Sequence, residues 1–114
     1  MNRIADSTGN TVEFSYTQNA PTGELDIAEI DYTAKIALSD VLSASPTFAR
    51  SPYAKVVFGY AALPAASQRI DYVSGMKLAL SQQLTTITVS GPQNNGTSPN
   101  TLQTVRTYHL RYGT

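Results

Sequence analysis

Three short stretches of this chain repeat one phrase: TVEFSY at 11–16, KVVFGY at 55–60 and TYHLRY at 107–112. In each, apolar or aromatic side chains recur every second residue, a period that suits an extended strand rather than a helix. In the first, Val12, Phe14 and Tyr16 fall on one face and Thr11, Glu13, Ser15 and Thr17 on the other, predicting one dry and one wet face. In the second, Val56, Phe58 and Tyr60 share a face while Val57 and Gly59 occupy the other, so both sides are expected to be partly covered. The third sets Tyr108, Leu110 and Tyr112 against Val105, Thr107, His109 and Arg111, in a strand expected over 102–112.

The intervening sequence extends the pattern. Asp6-Ser7-Thr8-Gly9-Asn10 is turn chemistry, because Asp folds onto its own backbone and Gly and Asn tolerate positive φ; residues 2–5, with Ile4, then form the incoming arm of a hairpin. A second turn, Asn19 to Gly23, leads to a strand over 27–33 in which Ile30 and Tyr32 share a face. Helical spacing also runs through Ile27, Ile30, Ala34, Ala37, Leu38 and Val41, but a strand followed by an irregular excursion fits better. Ser43 to Pro52, with two prolines, reads as an exposed loop. Downstream, RIDYVS at 69–74, GMKLALSQQL at 75–84 and TTITVS at 85–90 read as strands, and GPQNNGTSPN at 91–100 as a breaker-rich loop. The sum is an all-β, antiparallel single domain over 1–114, a sandwich or strongly curled sheet of seven to eight strands.

Composition excludes more than it assigns. Hydrophobic residues make up 41% and charged residues 14% of the 114 residues, and eight basic side chains balance eight acidic ones. No net field draws such a chain to nucleic acid or to an anionic membrane. Seven of the eight acids lie within residues 1–40 and six of the eight bases beyond it, which predicts local neutralisation between strands. Without cysteine there is no disulfide, thiol nucleophile or cysteine-ligated zinc. No apolar run approaches the roughly 18 residues that span a bilayer, and the amino terminus lacks the order of a signal peptide. The chain is therefore cytosolic, exported without such a signal, or cut from something longer.

Groups for catalysis are sparse. His109 is the single histidine, so a histidine metal site lacks a second imidazole and a Ser-His-Asp triad would depend on this residue. Asp26, Glu29 and Asp31 form the densest acidic cluster; Glu29 and Asp31, two apart, share a strand face and are the candidate pair for glycoside hydrolysis or calcium, against the simpler reading of a solvated face. No phosphate-cradling glycine loop is present, and Asn95-Gly96-Thr97 matches the N-glycosylation triplet. Most tyrosines alternate onto apolar faces, which predicts core packing with the hydroxyl at the rim. Phe48, Tyr53 and Tyr72 remain as candidate ligand contacts for a carbohydrate-binding or adhesion module, with a glycan as partner. No catalytic residue, cofactor or metal ligand is assigned.

The segment IADSTGNTVEFSY, through Ile4, Asp6, Gly9, Asn10, Val12, Phe14 and Tyr16, resembles the hairpin unit of Rhs/YD-repeat-associated proteins. The succession AEIDYT, KVVFGY, RIDYVSG, QLTTITVSG and VRTYHLRY is similar to the segment preceding the repeats in SpvB-like proteins and insecticidal toxin complex B components. The likeness covers nearly the whole chain except 34–52. The Tyr-Asp…Gly-Arg signature of a true YD repeat is absent, and YAALPAAS stands where relatives carry charges. The resemblance implies a non-catalytic structural module, a fragment of a larger secreted or surface bacterial protein that builds a shell around a toxic domain. Its partners would be neighbouring domains of the same polypeptide, with an edge-strand dimer expected in isolation.

Overall fold

A computed structural model of the protein describes residues 2–92 and 102–113. The loop expected at 91–100 is thus described only at Gly91 and Pro92, which end a strand, and Asn95-Gly96-Thr97 lies outside the described residues. Nine strands occur among the described residues: β1 (Asn2–Ala5), β2 (Asn10–Asn19), β3 (Glu24–Ile36), β4 (Phe48–Arg50), β5 (Ala54–Ala62), β6 (Arg69–Val73), β7 (Met76–Leu80), β8 (Gln82–Pro92) and β9 (Leu102–His109). Two single 3₁₀ turns, at Leu38–Asp40 and Ala65–Ser67, interrupt them. No helix among the described residues is long and apolar enough to cross a membrane.

The protein is all-β and antiparallel. One large sheet has the order β1-β2-β3-β5-β8-β9, with β4 also pairing β3, and β6 and β7 form a separate two-stranded sheet. The large sheet is open, ending at β1 and β9, and is neither closed nor strongly curled; the small sheet meets it where the Ala79 N–H donates to the Thr22 carbonyl at 2.9 Å.

The first hairpin forms as its residues dictate. Asp6 Oδ1 accepts from the Thr8 N–H at 2.8 Å and the Asn10 N–H at 2.9 Å, while Gly9 takes φ +89° and donates to the Asp6 carbonyl at 3.1 Å. This is the type I turn with a left-handed glycine that closes many hairpins. Hydrogen bonds from the Asn10 and Thr8 side chains hold the Asp6 carboxyl well below the usual range. At the tip of β6–β7, Ser74 (φ 51°) and Gly75 (φ 80°) supply the two positive φ angles of a tight hairpin turn.

Several boundaries differ from the sequence reading, each because of a distant contact. The strand expected at 27–33 runs from Glu24 to Ile36. Within the expected loop 43–52, Phe48–Arg50 forms β4, which pairs Lys35 and Ile36. β4 and β5 are two parts of one path along β3, broken opposite Thr33, a bulge residue with φ 76°. Tyr53 N–H donates to Thr33 Oγ1 at 3.0 Å and Arg50 Nε to the Thr33 carbonyl at 3.0 Å, filling the break. The strand expected at 75–84 is cut at Ser81, and the last strand stops at His109; beyond it, Leu110 N–H donates to Thr85 O and the Tyr112 hydroxyl to Leu84 O at 2.6 Å.

The register separates two faces. Phe14, Ile30, Val56 and Val89 are successive cross-strand partners, as are Phe58, Ile87 and Tyr108, so one face carries a broad apolar stripe. On the opposite face Arg3, Glu13, Asp31, Lys55, Ser90 and Thr104 form one continuous row across six strands.

The expected dry and wet faces of β2 are corrected by burial. Thr11 (2% exposed) and Glu13 (5%) are buried, while Val12 and Phe14 are half-buried and Tyr16 is exposed. Buried Ala34, Ile36 and Ala54 lie near the same end of β3, where the segment after β3 turns back and Arg3 Nη1 donates to the Ser43 carbonyl at 3.0 Å. The tyrosines do not form a core: Tyr16, Tyr72, Tyr108 and Tyr112 are exposed and Tyr32, Tyr53 and Tyr60 half-buried. Ile36 is the one large side chain that is fully buried among the described residues. The radius of gyration, 17.8 Å, exceeds the roughly 13 Å of a compact domain of this length, as a broad sheet with little above it requires.

Candidate functional site

The acidic cluster singled out in the sequence is divided by the sheet. Glu29 and Asp31 do share a face, and Lys55, the cross-strand partner of Asp31, reaches Glu29 Oε2 with its Nζ at 3.4 Å. Next to them Glu13 is paired with Arg3, Nε to Oε1 at 2.6 Å, and its burial makes this pair part of the framework. Three carboxylates thus face two cations along one row. Desolvation, reinforced by the Glu29 charge and a hydrogen bond between the two carboxyls, raises the Asp31 pKa to about 6 against the smaller opposing effect of Lys55. With that proton held, the two remaining carboxylates of the row, Glu13 and Glu29, balance Arg3 and Lys55. Among the described residues no group of three or more His, Asp or Glu side chains is arranged to hold a metal ion.

Asp26 lies elsewhere. Pairing between β3 and β5 covers Glu29 to Tyr32 and does not continue toward Glu24. Register shifts fall on both flanks of this point, between Ser15 and Tyr16 on β2 and between Gly59 and Tyr60 on β5, leaving Ala28 and Thr85 as extra residues. Such bulges bend and twist strands, and here β3 and β5 diverge. The Tyr60 hydroxyl spans the gap and donates to the Ile27 carbonyl at 2.9 Å, a group left without a ladder partner on this side.

The divergence opens a cleft of about 530 Å³, lined by Thr17, Gln18, Asn19, Asp26, Tyr60 and Gln82 together with the Ala20-Pro21 turn. Its size lies within the roughly 300–1,000 Å³ of small-molecule sites. Burial, then the neighbouring Glu24 charge, raises the pKa of Asp26, and burial followed by the Asp26 charge raises that of Tyr60. Among the described residues the side chains of Thr17, Gln18, Asn19, Asp26 and Gln82 make no hydrogen bond, so their donors and acceptors are available.

Behind the cleft, Glu24 closes the structure. Its Oε1 accepts from the N–H groups of Ser81 at 2.8 Å and Gln82 at 3.0 Å, and its Oε2 from the Ser81 hydroxyl and, at 3.4 Å, from that of Thr22. Burial opposes ionisation here, yet these donors together hold its pKa below the ordinary value. The arrangement fixes Gln82 against the cleft wall.

The aromatic candidates do not converge. Phe48 lies on β4 and Tyr53 on the following segment, where the Arg50 guanidinium sits 5.4 Å over its ring. Tyr72 projects from β6, 72% exposed, in the small sheet. That sheet joins the large one at the Glu24 end of β3, whereas β4 pairs the Ile36 end, roughly 40 Å away along an extended strand. His109 is exposed opposite Thr86. Of the cleft residues only Asp26 was marked by the sequence, because the others meet through a divergence of strands that no local pattern announces.

No protein-family model matches the chain, and neither does any curated protein or solved structure.

Proposed function

We propose that this chain is a non-catalytic structural β module of a large secreted or surface Rhs/toxin-B-like protein, contributing to a shell or scaffold around a toxic effector. The observation that carries the reading is the apolar stripe Phe14, Ile30, Val56, Phe58, Ile87 and Val89. These side chains share one face of the large sheet across four strands, all only half-buried, with no second layer of strands over them among the described residues. A face of that breadth is stable in water when another layer covers it, and neighbouring β segments of the same polypeptide are the fitting cover. The Asp6 hairpin and the sequence resemblance support the same placement.

An antiserum raised against the chain tests this in fractionated cultures of its host. The expected signal is a secreted or surface-associated polypeptide far larger than the 12.3 kDa of this sequence. A cytosolic band at 12.3 kDa would overturn the proposal.

A further inference from the structure

We propose that the cleft between the diverging ends of β3 and β5 binds a neutral pyranose unit of a glycan. The inference stands on the cleft and not on the scaffold reading, with which it is compatible.

The chemistry on the walls selects this class. The Tyr60 ring is half-buried and anchored by its hydroxyl to Ile27, giving a fixed apolar surface for the C–H groups of a sugar ring. Around it, Asp26 supplies a carboxylate that accepts two hydrogen bonds side by side, the geometry that vicinal hydroxyls offer. Gln18, Asn19 and Gln82 each present both an acceptor oxygen and an N–H₂ donor, and Thr17 a hydroxyl. A cationic ligand would satisfy Asp26 but leave the amide donors without acceptors. A hydroxylated ring both donates and accepts, and so suits a wall that offers a carboxylate and amides together.

The site is also built to stay in place. Gln82 is fixed through its backbone N–H to buried Glu24, and Tyr60 by its bond to Ile27, so the two walls are held by different strands at a set separation. The ligand therefore meets a cleft that is already formed, which lowers the entropic cost of binding. The earlier aromatic candidates lack this convergence.

The ¹⁵N-labelled full chain is titrated with the methyl glycosides of mannose, galactose, glucose and N-acetylglucosamine, and in parallel with methylguanidinium. The expected result is saturable shifts of the Gln18, Asp26, Tyr60 and Gln82 amides with at least one glycoside. Affinity falls by about tenfold or more in Asp26→Ala and in Gln82→Ala, as loss of a charged or bidentate partner predicts, and is unchanged in Tyr53→Ala. The proposal is overturned if no glycoside gives saturable shifts, or if binding is undiminished in whichever of the two cleft variants folds. Saturation by methylguanidinium alone would make the cleft a cation site and overturn it too.

Discussion

Glu24 and Ser81 lie 57 residues apart in sequence, yet the Glu24 carboxylate accepts from both the N–H and the hydroxyl of Ser81. The same carboxylate takes the Gln82 N–H, so a single buried acid ends β7, starts β8 and ties both to β3. Glu24→Ala leaves two backbone donors without that acceptor and is expected to cost about 2–4 kcal/mol, read as a lower urea midpoint. Glu24→Gln keeps one acceptor oxygen and costs less. Because the folded pKa is depressed below 4.5, the wild-type bond is complete above that pH and is lost as pH falls through the folded value; in Glu24→Gln this part of the acid dependence disappears.

Asp31 acts in the opposite sense. The folded chain holds its proton up to about pH 6, whereas an unfolded aspartate releases it near 3.8, so the folded state binds more protons across that window and stability falls as pH rises through it. Asp31→Asn is expected to remove this fall and to gain on the order of 1 kcal/mol at pH 7, discounted for a half-exposed group. Urea midpoints at pH 4.5 and 7 for both proteins check it; parallel changes in the two would contradict the assignment.

At the bulge, Thr33 combines φ 76° with a hydroxyl that accepts from the Tyr53 N–H. Thr33→Val keeps the strain and loses the acceptor, a cost of about 1–3 kcal/mol. Thr33→Gly loses the same acceptor but adopts the conformation freely, and should melt above the valine variant by the equivalent of about 1 kcal/mol.

Thr11 offers a gain. Its hydroxyl oxygen is buried with no hydrogen-bond partner among the described residues. Thr11→Val keeps the shape, removes the unpaired group and is expected to add about 1 kcal/mol to the free energy of unfolding in urea titrations.

The alternating phrases made most strands legible, since period two is a local property of β2, β5 and β9. Asp6 and Gly9 likewise announce their turn, because that chemistry lies within five residues. The break at Ser81 carries little local signal: only Gln82 interrupts the apolar series Met76, Leu78, Leu80 and Leu84, and the cut is imposed by Glu24 from far along the chain. Burial on β2 departs from its local pattern for a similar reason. Glu13 looks like a water-facing residue until Arg3 and the returning segment at Ser43 close over it. The cleft depends on register shifts beside Ala28 and Thr85, and bulges of that kind follow from pairing partners, not from the strand's own residues.

The apolar face is proposed as the seat for another layer of a larger polypeptide. The chain has no cysteine, so Val56→Cys places one thiol at the middle of that face, opposite Val89. Maleimide labelling of this variant, in the isolated chain and in the polypeptide purified from its host, measures the cover directly. Rapid modification of the isolated chain and strong protection in the native protein are expected. Equal reactivity in the two, or protection already present in the isolated monomer, would contradict the proposal.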